Sequence, residues 1–296
     1  MNILFITANR LGDAVLSTGL LNALGRRYPR ARFTVACGPV AASLFAPNPR
    51  CVRVITVEKR RYDAHWLSLW RECVGTRWDL VIDLRGSGVS FFLWARRRRI
   101  MRGGRRNGLR IGHLGAVLNL DPPPLPVVWT TPGQDELAHE ALPDVARYLA
   151  LGPTANWDGK IWPAEHFIEL ARARPDLIPV LFYGPGTDEE RRASPVRAAL
   201  PHAIDLGGDR PLGEVAALLR RCALFVGNDS GLMHLAAAAG VPTLGLFGPS
   251  RVSEYAPSGI CARAVIAPGP EGQAPIAGLD VATVLASADE MCPARM

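Results

Sequence analysis

What most constrains this chain is an alternation: short apolar or β-branched runs separated by stretches with apolar residues at helical spacing, broken once by prolines and then resumed. NILFIT opens the chain, a Gly-containing turn follows, and residues 14–27 carry the i, i+3, i+4 spacing of a helix with one buried face. ARFTVAC, CVRVITV and WDLVIDL repeat the strand pattern, with RRRIMRGG as a candidate last strand of this half. Continuous apolar strands joined by crossover-length segments predict a parallel sheet flanked by helices. Residues 121–133, DPPPLPVVWTTPG, hold five prolines and no periodicity, which predicts a semi-rigid connector and places the domain boundary there. Beyond it the alternation restarts with a helix over 135–141, and RYLALGP, LIPVLFYG, HAIDL, ALFVGND, VPTLGLFG and ARAVIAP read as strands. Helices are expected over AEHFIELARA, DEERRASPVRAAL, PLGEVAALLRRC, about 230–239 and about 280–289. At 296 residues the chain exceeds the usual size of one core, so the expectation is α/β with two doubly wound parallel-sheet domains, 1–133 and 134–296.

Several function classes fall away at this level. No apolar run reaches the roughly 18 residues of a membrane span, and no basic segment precedes an apolar stretch at the start, so a cytoplasmic protein is expected. Six cysteines without a C-x-x-C pair support neither a zinc ribbon nor a thioredoxin motif, and reduced, mostly buried thiols are the simpler reading. The net charge of +7 is concentrated at Arg96, Arg97, Arg98 and Arg99, followed by Arg102, Arg105 and Arg106. Such a run is either a solvated face or a contact for an anionic lipid or glycolipid; without interleaved aromatics or a recognised motif it does not read as a nucleic-acid site.

In doubly wound sheets, ligands sit beyond the carboxyl ends of the strands, where helix N-termini favour anions. Four turns there carry polar or small residues: NRLGD, GPTANW, YGPGTDEE and GNDSGLMH. In GNDSGLMHLAAAAGVPTLGLFGPS, residues 227–250, Asp229 or Ser230 suits a helix N-cap and Gly231 permits close backbone approach, so free N–H groups of the first turn can hold a phosphate; an ordinary capped helix explains the same residues. His234, one turn beyond Ser230, is a structural histidine or a donor to phosphate or ribose, and no second ligand at metal spacing accompanies it. Lys160, in GPTANWDGKIWP, is a surface lysine or a point charge for a phosphate oxygen. Only Gly12 stands in NRLGDA, so the dinucleotide fingerprint is absent. Asp13 there either stabilises a helix dipole or serves as a general base.

Together these motifs resemble the heptosyltransferase-like family 9 of glycosyltransferases, bacterial enzymes that add sugars to the lipopolysaccharide core. NRLGD with LSTGLLNAL, KIWP ahead of a helix, and DSGLMHLAAAAGVPTLGLFGP match its marks over nearly the whole chain. The resemblance implies a GT-B architecture of two Rossmann-like domains facing across a cleft, the first binding the acceptor and the second the nucleotide sugar. It implies inverting, metal-independent transfer with Asp13 as base, and Thr154, Lys160, Asn228, Asp229, Ser230, Gly231 and His234 around the donor. Arg10, with Arg97, Arg98 and Arg99, becomes a contact for a glycolipid acceptor or an anionic membrane surface at the inner face of the inner membrane. No cofactor is implied, and ADP-heptose is the donor by family default. Gly19 and Thr7 depart from the family pattern, standing where proline and arginine are common. A nucleotide-sugar epimerase or hydrolase, and a non-catalytic nucleotide-sugar-binding protein, are the competing readings for such a fold.

Overall fold

The computed structural model describes residues 1–59, 61–103 and 107–294, so Arg105 and Arg106 of the basic strip lie outside the described residues. The chain divides into two compact units, Met1–Trp129 and Thr130–Met296.

The first unit runs β1 (Asn2–Ile6), α1 (Leu11–Arg27), β2 (Arg32–Cys37), α2 (Ala42–Phe45), β3 (Cys51–Thr56), α3 (Ala64–Cys73), β4 (Leu80–Asp83), β5 (Arg98–Ile100) and α4 (Arg110–Val117). Its strands pair in the order β3-β2-β1-β4-β5, all parallel. Ile3, Leu4, Phe5 and Ile6 of β1 are fully buried, which is why that strand reads as an unbroken apolar run. Strand order reverses between β1 and β4, so the turns after those two strands are neighbours.

Helix α1 starts at Leu11, ahead of the expected residue 14, and Asp13 therefore lies in its first turn rather than in the preceding loop. A Cβ at Gly19 would come within 2.4 Å of the Pro124 carbonyl oxygen and 2.6 Å of that of Leu125. The proline-rich segment thus lies directly on α1, and glycine is the residue that lets it pass. Val127 N donates to Thr18 Oγ1 at 2.9 Å, adding a backbone tie. The first part of the expected connector is accordingly a packed part of the first unit. Thr131 caps the next helix in a reciprocal box, its hydroxyl accepting from Gln134 N at 3.3 Å and its N–H donating to Gln134 Oε1 at 2.9 Å. That cap carries the whole helix into the second unit, so the division falls after Trp129, ahead of residue 133.

The second unit opens with α5 (Pro132–Ala141), β6 (Tyr148–Gly152), α6 (Ala164–Ala173), β7 (Ile178–Leu181), α7 (Thr187–Ala199) and β8 (Ile204–Asp205). It continues with α8 (Leu212–Arg220), β9 (Leu224–Asn228), α9 (Gly231–Ala239), β10 (Thr243–Phe247), α10 (Val252–Tyr255), β11 (Ala262–Ile266) and α11 (Val281–Met291). The sheet order is β11-β10-β9-β6-β7-β8, again all parallel and reversing between β6 and β9. Gly152 and Gly227, register partners at the ends of those strands, leave room for the Phe225 ring: a Cβ on either would sit 2.7 Å from a ring carbon.

The C-terminal helix is tied down by Arg174, which is 3% exposed and bonds both oxygens of Asp176 (2.8 and 2.9 Å), Asp289 (3.2 Å) and the Cys292 carbonyl (3.0 Å). These hydrogen bonds from Arg174 hold the Asp176 carboxyl below its ordinary value, so its contribution to stability is present above the usual carboxylate pKa and lost as pH falls through the lower folded value. Burial pushes the Cys37, Cys73 and Cys222 thiols up to about 12, keeping them protonated at neutral pH. Among the described residues, no helix is long and apolar enough to cross a membrane.

Candidate active site

At the reversal point of the second sheet, the turns after β6 and β9 meet. Lys160 Nζ donates to Asp229 Oδ2 at 2.6 Å, the lysine side chain 26% and the aspartate 6% exposed. Asn228, fully buried, accepts from Trp162 N at 2.9 Å, and its amide lies 3.4 Å from the Gly152 carbonyl. Trp162, also fully buried, donates its indole N–H to the Leu279 carbonyl at 2.8 Å, fixing the segment that carries Lys160. Thr154 is 2% exposed on the same side of the sheet, just beyond β6. The segment that carries Lys160 and the turn of Asn228, Asp229, Ser230 and Gly231 are thus in direct contact.

The cap of α9 differs from expectation. Ser230 occupies the N-cap position with extended backbone, but its side chain makes no capping bond, and Asp229 is engaged by Lys160 instead. Ser230 Oγ and Ser250 Oγ are both buried, with no hydrogen-bond partner among the described residues. Buried hydroxyls are ordinarily satisfied, and here they follow the ends of the adjacent strands β9 and β10, with Ser230 at the uncapped start of a nine-residue helix. That combination of N–H groups, two hydroxyls and one lysine suits a polyanionic ligand. His234 is 4% exposed in the next turn, so it belongs to the buried lining rather than to a surface.

The first sheet has a matching constellation at its own reversal point. Asp13 Oδ1 accepts from Arg110 Nε at 2.9 Å, with the carboxylate 26% exposed, and no described residue donates to Oδ2. Asp83, at the end of β4, is fully buried and accepts from Arg85 N (2.9 Å), Ser87 N (3.0 Å) and Ser87 Oγ (2.7 Å). Its oxygens are committed to shaping the loop. Arg85 reaches back to Asn9 Oδ1 at 2.8 Å and lies over the Trp66 ring, 4.6 Å from its centroid. Burial pulls the Arg85 guanidinium below its ordinary value, against the opposing charge of Asp83. Of the two carboxylates, Asp13 has the uncommitted oxygen and the exposure that proton transfer requires. Arg10 is exposed just ahead of α1.

The arginine strip divides. Arg97 and Arg99 are exposed, whereas Arg98 turns inward and donates to the carbonyls of Ser90 (2.8 Å), Ala95 (3.2 Å) and Leu93. Strand alternation explains this, since neighbouring residues of β5 point to opposite faces. Arg98 is a structural residue that pins residues 90–95, and its expected role as an external contact is corrected accordingly. Thr7, one of the departures from the family pattern, is buried and shares a 2.8 Å hydrogen bond with Ser17.

Sequence reasoning missed Arg110, Asp83 and Ser250. Asp83 carried a signal, a charged residue ending the fully apolar run LVID; Arg110 carried none, because its partner Asp13 is far away along the chain.

Comparisons with known proteins bear on the family and the fold. The model of Glycosyltransferase family 9 (heptosyltransferase) matches residues 116–275. Lipopolysaccharide heptosyltransferase 2 of Salmonella typhimurium is 28% identical over 298 residues, covering 84% of this chain and 83% of the relative. Among solved structures, the family 9 glycosyl transferase of Veillonella parvula superposes with a TM-score of 0.82 at 23% identity, covering 98% and 97% of the two chains. ADP-heptose lps heptosyltransferase II of E. coli gives 0.80 at 22% identity, with 99% and 98% covered. The two parallel-sheet units are thus those of a GT-B enzyme, and the chain belongs to glycosyltransferase family 9, the heptosyltransferase family.

Proposed function

We propose that the protein transfers a heptose from ADP-heptose to a lipopolysaccharide-core or related glycolipid acceptor, with inversion, with Asp13 as general base and without a metal ion. The observation that carries the donor half is Lys160 held 2.6 Å from Asp229 beside the uncapped start of α9. The second unit is assigned the nucleotide sugar and the first the acceptor. The relatives' names supply the sugar, and one solved neighbour is an E. coli heptosyltransferase described with ADP.

In this reading Asp13 takes the proton of the acceptor hydroxyl as its oxygen bonds to the anomeric carbon. The bond from that carbon to the diphosphate oxygen breaks in the same step. Negative charge accumulating on the leaving diphosphate meets Lys160, the hydroxyls of Ser230 and Ser250, and the N–H groups of Gly231 and its neighbours. His234 and Thr154 line the donor pocket, and Asn228 holds the turn. These groups supply in fixed form the positive charge that leaving-group departure needs. A glycolipid acceptor places the protein at the inner face of the membrane.

Thermal shifts with ADP, UDP, GDP and CMP, each in EDTA, test the donor half. A ligand at 100 times its dissociation constant stabilises by about 2.7 kcal/mol. ADP should raise the melting temperature most, with EDTA making no difference. A shift that disappears in EDTA and returns with a divalent ion would put a metal in the donor site.

A further inference from the structure

We propose that Arg192 is a positioning residue for the donor site: through Asp158 it braces the turn that carries Lys160, and so sets where the lysine ammonium stands. The consequence for transfer rests on the donor reading given above; the bracing itself stands on geometry.

Lysine carries its charge on a flexible four-carbon stem, so the place of that charge depends on the backbone beneath it. Beyond Lys160 the backbone is fixed, since Trp162 is tied to Asn228 and Leu279. Ahead of Lys160 burial does not hold it: Asn156, Trp157 and Asp158 are all exposed. Residues 158–160 form a short 3-10 turn in which Ile161 N donates to the Asp158 carbonyl at 2.9 Å. The Trp157 ring folds over Gly159 so closely that a Cβ there would come within 2.6 Å of it. The outward tether is ionic. Arg192 Nε donates to Asp158 Oδ1 at 2.8 Å, and a terminal guanidinium nitrogen stands 2.7 Å from the same oxygen.

Arg192 is itself well seated. It precedes Ala193 on α7, where Ala193 and Val196 are buried in the core, and its own side chain is 19% exposed. The other terminal nitrogen lies 3.6 Å from Glu189 Oε1, and Glu189 Oε2 accepts from Gly184 N at 3.2 Å. A line of contacts thus runs from Gly184, just beyond β7, through Glu189, Arg192 and Asp158 to the turn of Lys160. It gives the YGPGTDEE segment a role. The first turn of α7 carries Asp188, Glu189 and Glu190, which already complement its dipole and repel a phosphate, so this helix start is a brace rather than a second anion site. An ion pair exposed at one end adds little to global stability, and its effect is to be read locally.

The chain has two lysines, Lys59 and Lys160, so amine labelling reads the brace directly, with exposed Lys59 as internal reference. The test uses the full chain without nucleotide, trinitrobenzenesulfonate as reagent and peptide mass spectrometry as readout. Relative to Lys59, Lys160 should label about 3- to 10-fold faster in Arg192→Gln and in Asp158→Asn, between the worth of an exposed ion pair and that of a charged hydrogen bond. The double variant should be no faster than either, because both remove the same contact. The ADP dissociation constant should rise by a similar factor in each single variant, whereas in a Lys160→Met background Arg192→Gln should add nothing. Melting temperatures should stay within about 4 °C of wild type. Wild-type labelling of Lys160 in both single variants would overturn the proposal. So would an equal loss of ADP affinity from Arg192→Gln with and without Lys160, since Arg192 would then act on the nucleotide itself. Faster labelling with unchanged ADP affinity would uphold the brace and count instead against Lys160 as a diphosphate contact.

Discussion

Asp13→Asn is expected to lower the single-turnover transfer rate at least ~100-fold while donor affinity stays within about twofold, because a positioned base contributes roughly 10²–10⁴-fold. The substitution keeps the size of the side chain and an oxygen able to accept from Arg110, 2.9 Å away, but it removes the carboxylate proposed to take the acceptor's proton. The alternative role is concrete. Asp13 lies in the first turn of α1, where a carboxylate interacts favourably with the helix dipole, and on that account Asn would cost about 0.3–1 kcal/mol of stability with turnover near normal. Melting temperature and single-turnover rate measured on the same preparation separate the two. A stable variant with wild-type turnover would remove Asp13 from the chemistry. Asp83 cannot take its place, because it is fully buried and three loop donors already occupy its oxygens.

Lys160→Met should weaken ADP binding by roughly 10- to 100-fold, the range of one or two hydrogen bonds to a charged group. It should also destabilise the protein, since Asp229 is only 6% exposed and would lose its counter-charge. The two effects come apart in a second step. Adding Asp229→Asn removes the uncompensated charge, so the double variant should regain much of the stability but none of the affinity. ADP titration and thermal melts of the single and double variants check this. Recovery of affinity together with stability would mean that Lys160 supports the turn and does not touch the diphosphate.

The strand and helix alternation was legible because both sheets are parallel and covered on both faces, so that NILFI and LVID appear as unbroken apolar runs. The two reversal points follow from the strand order, and the second explains why GPTANW with Lys160 and GNDSGLMH, far apart in sequence, meet at one place. What the sequence hid were interactions that depend on three dimensions. Arg98 is indistinguishable from Arg97 and Arg99 in a run of arginines, yet its side of β5 faces a loop and theirs does not. Gly19 stood out as a departure from the family pattern, and its reason is spatial: the carbonyls of Pro124 and Leu125 occupy the space a side chain would need. The DSG turn invited a capped helix, but Ser230 at the N-cap makes no capping bond and Asp229 is engaged by Lys160, remote in sequence.

The most direct test of the central claim is to incubate the protein with ADP-heptose and a heptose-deficient lipopolysaccharide acceptor in EDTA, and to read the acceptor by mass spectrometry. The account predicts an acceptor heavier by one heptose, ADP released in equal amount, and no product from Asp13→Asn. Free heptose or an epimerised donor with the acceptor unchanged would contradict it and assign the protein to hydrolysis or epimerisation instead.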